Sequence, residues 1–182
     1  MTRLVLLLGA LACAFPAPAE KKITEITKAT TPHDDAKPNS AAVPEAYAIT
    51  GQFERIVVLR FKYEADLLAG MQRLVNQQVI RNAVILSGVG SLRNSHVHSV
   101  SNRTFPSKNR FVEDPDTPAD IIGVNGYVIE GRIHAHMTLS NGEQAYGGQI
   151  EPGNRVFTFA IVTLGVFGRE VSLDKTDDKT YR

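Results

Sequence analysis

IIGVNGYVIEGRIHAHMTLSNGEQAYGGQI, residues 121–150, decides the fold. Residues 121–129 and 131–139 are rich in β-branched and aliphatic side chains, with polar groups interleaved, so each reads as a strand. Asn141-Gly142 is a two-residue hairpin signal, and 143–150 returns beside the second strand. Working outward, Pro152-Gly153 turns the chain into a strongly apolar strand over 156–164. Toward the N-terminus, residues 101–120 are polar, hold Pro106, Pro115 and Pro118, and read as an irregular loop. Residues 92–100 alternate as a strand, Ser87-Gly88-Val89-Gly90-Ser91 reads as a tight turn, and 82–86 is a strand before it.

The spacing predicts a helix over 64–80, where Leu67, Leu68, Met71, Leu74, Val75 and Ile80 recur at three- and four-residue steps. Residues 52–61 form the first strand of the domain. A strand, a helix and then a run of strands argue for an α+β fold, with a mostly antiparallel sheet and one main helix. A sheet apolar on both faces needs more cover than one helix supplies, so subunit packing is expected to provide the rest.

The N-terminus has the form of a cleaved leader over residues 1–19: Arg3, a twelve-residue apolar run over 4–15, and Ala17-Pro18-Ala19 at the cleavage site. That run is shorter than the roughly 20 residues a spanning helix needs. Periplasmic or secreted localisation is expected, without stable membrane insertion after cleavage. Residues 20–48 are polar, without sustained periodicity, and read as a flexible linker; the domain is placed at 49–173 and a charged tail at 174–182. Cys13, the one cysteine, lies in the leader, so the processed chain has no disulfide. Of 20 basic residues Arg3 goes with the leader, which leaves 19 against 19 acidic ones. A neutral chain lacks the basic excess of a nucleic-acid binder, and none is expected as partner.

The chemistry is concentrated in histidine. On a strand, side chains two apart share a face, so His134 and His136 point the same way, about 7 Å apart along the chain. Such a pair suits a transition metal, zinc first, but zinc wants four ligands. His96 and His98 repeat the spacing on another strand; whether the two pairs meet is left open by the sequence. Arg132 falls on the face of His134 and is the candidate anion-binding group. Gln149, returning through the hairpin, is expected near His134, where it would orient a water or a ligand. Gly147 and Gly148 mark either a close approach of backbone or ligand, or a bulge.

These segments together resemble the plant and prokaryote conserved (PPC) domain family. The resemblance runs from about Gly51 to Leu164. It rests on residues 51–56 (GQFERI), 86–91 (LSGVGS), 131–136 (GRIHAH) and 145–153 (AYGGQIEPG). It implies a compact α+β domain that assembles as a homotrimer and is similar in fold to acetolactate decarboxylase. In plant members the domain accompanies AT-hook segments; no Arg-Gly-Arg-Pro segment occurs here. Bacterial and archaeal members often show three histidines that look like a metal site. Two match His134 and His136, while the third falls in a Gly-Gly-His segment that here reads Gly147-Gly148-Gln149. His96 or His98 would then have to replace the lost ligand, or the metal has been given up. The expectation is an exported oligomeric module that binds a small ligand or a metal, possible zinc included. The alternatives are a metal-dependent lyase or hydrolase acting on a small acid, and a structural or protein-interaction module.

Overall fold

The computed structural model describes residues 19–27, 44–104 and 107–176. The expected leader, save Ala19, lies outside the described residues, as do 28–43 of the expected linker and 177–182 of the tail. Among the described residues nine strands form a single sheet: β1 Lys22–Thr27, β2 Phe53–Lys62, β3 Ala83–Leu92, β4 Ser95–Val100, β5 Lys108–Asp114, β6 Ala119–Ile129, β7 Arg132–Ser140, β8 Ala145–Ile150 and β9 Val156–Phe167. Their order is β1-β5-β4-β8-β7-β6-β3-β9-β2, and every pairing is antiparallel. Helix α1, Leu67–Gln77, packs on one face. The α+β architecture read from the sequence is the one observed. No described helix is long and apolar enough to cross a membrane.

Alternation fixes which face is covered. On β9, Val156, Ala160, Val162, Leu164 and Val166 are buried together with Leu67, Met71 and Val75 of α1. Asp66 caps the helix, its carboxylate accepting from the Ala69 amide at 2.9 Å and, through the other oxygen, from the Gly153 amide at 2.7 Å. One side chain thus starts the helix and ties it to the turn between β8 and β9. Among the described residues no helix covers the opposite face of the sheet, where Ile56, Val58, Val89 and Phe159 are exposed.

Three expectations need correction. Ser87-Gly88-Val89-Gly90-Ser91 is no turn: β3 runs straight through it, with register shifts between Ile85 and Ser87 and between Gly90 and Leu92. The glycines are there for clearance. A Cβ on Gly88 would lie 2.4 Å from Val124 Cβ, and one on Gly90 2.4 Å from the Phe159 carbonyl oxygen. Arg93-Asn94 is a short link to β4, which lies four places along the sheet and runs in the same direction as β3. Second, residues 101–120 are not loop throughout, because β5 lies inside them, between β4 and β1. Third, residues 22–27 of the expected linker form edge strand β1, whose register on β5 pairs Ile23 with Val112 and Ile26 with Asn109. KITEIT is rich in β-branched residues, which suits a strand even though Ile23 and Ile26 stay exposed.

Candidate functional site

Strand β7 carries the central pair, and its orientation is forced from the covered side. Ala135, Met137 and Leu139 are 2%, 2% and 0% exposed. A one-residue slip would expose Met137 and Leu139, each worth about 1.5–3 kcal/mol of burial. His134 and His136 are therefore held on the bare face, their ring centroids 5.5 Å apart. The start of β7 is fixed by Gln72 of α1, which donates to the Gly131 carbonyl at 2.7 Å and accepts from the Ile133 amide at 3.2 Å.

Register brings the second histidine pair to the first. Gln149 on β8 stands opposite His136 on one side and opposite His98 of β4 on the other. His98, Gln149 and His136 thus form a row across three adjacent strands, continued by Asn125 of β6 beyond His136. Gln149 faces His136 rather than His134; Tyr127 is the residue opposite His134. Gly147 and Gly148 permit this tight lateral packing. A Cβ at Gly147 would meet the Met137 carbonyl oxygen at 2.1 Å, and one at Gly148 the His98 carbonyl oxygen at 2.4 Å. The approach they allow is of backbone to backbone. His96 lies farther out, its Nδ1 2.9 Å from the Pro152 carbonyl. Arg132 shares the face of His134 and pairs with Ile129 at the start of β7.

Two residues that the sequence reading passed over shape the row. Glu151 places Oε1 2.5 Å from Nδ1 of His98, which packs on Phe111 at 4.9 Å between ring centroids. A carboxylate on Nδ1 holds the proton there and leaves Nε2 as the acceptor or ligand atom. Its signal was available, since Glu151 is two residues beyond Gln149. Asn154 is fully buried; it accepts from the His96 amide at 2.8 Å and donates to the carbonyls of His96 and Glu151 at 2.9 and 2.5 Å. It clamps β4 to the turn after β8, and nothing in its local sequence announced that.

A concavity of about 420 Å³ opens beside the row, lined by Asn125, Tyr127, Ile129, His134, His136 and Thr176. Partial burial, reinforced by the neighbouring His134 and His98 imidazoles, holds the pKa of His136 below its usual 6.5. A neutral imidazole is the form that binds a metal or accepts a hydrogen bond. Within one chain, no three His, Cys, Asp or Glu side chains among the described residues are gathered closely enough to hold an ion. As it stands, the donor set is the His134–His136 pair, with His98 one strand beyond Gln149.

Several known proteins share this architecture. A metal-containing protein of Archaeoglobus fulgidus is similar with a TM-score of 0.57 and 20% identity, over 68% of this chain and 87% of that one. A plant- and prokaryote-conserved protein of Pyrococcus horikoshii gives 0.57 and 19%, over 70% and 89%. A hypothetical protein of Salmonella gives 0.53 and 21%, over 66% and 81%. Among curated proteins, the bifunctional protein GlmU of a Synechococcus species is 26% identical over 111 residues, which are 60% of this chain but span only 16% of that relative. The model of the Plants and Prokaryotes Conserved (PCC) domain matches residues 48–168, from just before β2 to just past β9. This chain belongs to the PCC-domain family.

Proposed function

We propose that the protein is an exported homotrimer that binds a small ligand or a metal ion on the bare face of its sheet, around His134 and His136. The observation that carries this reading is the row His98–Gln149–His136, with His134 beside it, at the edge of an uncharged concavity. Export rests on the leader over residues 1–19. Assembly rests on the family and on the apolar side chains that the bare face leaves uncovered. The metal-containing Archaeoglobus neighbour favours an ion as one occupant. With glutamine where a third imidazole would stand, such an ion would be held by His134 and His136, with His98, water or a ligand completing the set.

A metal-assisted reaction on a small acid is the second reading. It draws on the His98–Glu151 pair, which has the form of an oriented imidazole ready to take or hold a proton. Zinc titration of chelator-stripped protein by calorimetry tests the shared premise. His134→Ala is expected to abolish binding, and Gln149→His to tighten it by roughly tenfold or more. Should the wild type bind no zinc and Gln149→His create no binding, the metal reading falls and a protein-interaction role takes its place.

A further inference from the structure

The concavity at the imidazoles does not end there. Tyr127 and Thr176 also line a second one of about 410 Å³, whose far wall includes Tyr47, Ile49, Phe167 and Val171. Each is of the size small-molecule sites take. Tyr47, Ile49 and Tyr127 are 50%, 42% and 48% exposed, although they adjoin a packed cluster of Ile129, Val171 and Leu173. Scattered apolar residues at a surface need no explanation, but several rimming one hollow do.

The walls are built from anchored segments. Gly51 lies so close to Val171 that a Cβ there would come within 2.2 Å of Cγ2. Asn82 donates to the Val171 carbonyl at 3.0 Å in the interior, and Thr176 donates its hydroxyl to the Leu173 carbonyl at 2.7 Å. Tyr47, Val171, Leu173 and Thr176 fall outside the family-matched residues 48–168, while Ile49, Gly51, Tyr127 and Phe167 fall inside them.

The two ends differ in chemistry. No Asp, Glu, Lys or Arg lines either hollow among the described residues. At the imidazole end stand donor groups: the Asn125 amide, the Tyr127 hydroxyl, and imidazoles that in either neutral tautomer carry one N–H. At the far end stand aliphatic and aromatic surfaces. Donors without a nearby carboxylate favour an acceptor head and leave an organic ammonium no opposite charge to pair with.

We propose that the two hollows form one groove for an amphipathic small acid. Its carboxylate sits at the Asn125–His134–His136 end, and its ring or branched chain lies against Tyr47, Ile49 and Phe167. This rests on the ligand-binding reading above and narrows it to a ligand class.

The probes are hydrocinnamate and propionate, which share a head and differ by a ring, titrated calorimetrically into the full metal-free chain. Hydrocinnamate is expected to bind roughly tenfold or more tighter than propionate. Tyr47→Ala, at a half-exposed position that folding does not require, should weaken hydrocinnamate roughly fivefold and leave propionate unchanged. His134→Ala should weaken both. Equal affinities, or hydrocinnamate binding indifferent to Tyr47→Ala, would overturn the apolar arm, as would a change of oligomeric state in Tyr47→Ala, since the groove would then hold a second copy. Zinc binding that persists in those outcomes leaves the site around His134 intact. Loss of zinc, propionate and hydrocinnamate binding together would remove that site as well.

Discussion

The two ends of the bare sheet face are built alike and loaded differently. At the β2-β9-β3 end, cross-strand rows read Val58–Thr163–Ser87 and Arg60–Ile161–Val89, with Ile56 and Phe159 nearby. At the β4-β8-β7 end the corresponding row is His98–Gln149–His136. In both, the opposite face of the same strands is core, so alternation decides only that these side chains point outward. What they do there follows from their chemistry. Val58 and Val89, 62% and 50% exposed, gain by being covered, whereas imidazoles held in register gain by finding something to bind.

The largest expected effect separates the ends by stability. Asn154→Ala removes the clamp under the histidine end and takes the side-chain partner from the part-buried His96 amide and Glu151 carbonyl, while the His96 carbonyl keeps the Glu151 amide at 3.1 Å. A loss of about 2–4 kcal/mol in urea denaturation is expected, with amide exchange speeding up in β4 and β8 before β2 and β9. A uniform acceleration would show that the two ends open as one unit.

Next comes assembly. If the proposed trimer forms, Val58→Glu combined with Val89→Glu should drive it to monomer in sedimentation equilibrium, while His134→Ala should leave association untouched. A double variant that still associates would move the interface off this face, and a monomeric wild type would remove the need for one.

A smaller effect concerns the edge beyond β5. Ile23 and Ile26 of β1 are 60% and 49% exposed, so this strand adds backbone pairing without core. A chain beginning at Ile49 should lose less than about 1 kcal/mol. A larger loss on truncation would mean that residues 20–48 pack on the domain.

The smallest is the pH response of metal-free protein. The folded state holds the pKa of His136 below 6.5, so the unfolded chain binds more protons as pH falls through that value. The contribution is intact above 6.5 and lost toward the folded pKa. His136→Asn should flatten that part of the melting-temperature profile, and an unchanged profile would exclude His136 as its source.

Much of the apolar half was legible in the sequence, and less of the histidine half. Strands β6, β7 and β9 and helix α1 carry periodic apolar side chains, which local reading detects. His134 and His136 share a face by spacing alone. That His98 joins them depends on β4 lying beside β8, a pairing between residues far apart in the chain. The same blindness turned the glycines at 88 and 90 into a turn, because their reason is Val124 and Phe159 on neighbouring strands. It also hid β5 inside a polar, proline-bearing stretch, where the partners β4 and β1 supply the order. The hairpin signal at Asn141-Gly142 held, but the reversal takes four residues: Asn141 Oδ1 accepts from the Glu143 and Gln144 amides, and β8 begins at Ala145.

The place of β2 in the sheet has a consequence for how the molecule forms. Among the described residues its one hydrogen-bonded neighbour strand is β9, so Phe53 waits for Phe167 across nearly the whole domain. Strand β3, too, has β9 on one side. A chain emerging at about 5–20 residues per second therefore spends seconds with β2 unpaired. Closure depends on contacts distant in sequence, the class that folds slowly, in about milliseconds to seconds. The last strand acts as the latch, and any chain ending before it leaves two strands without their shared neighbour.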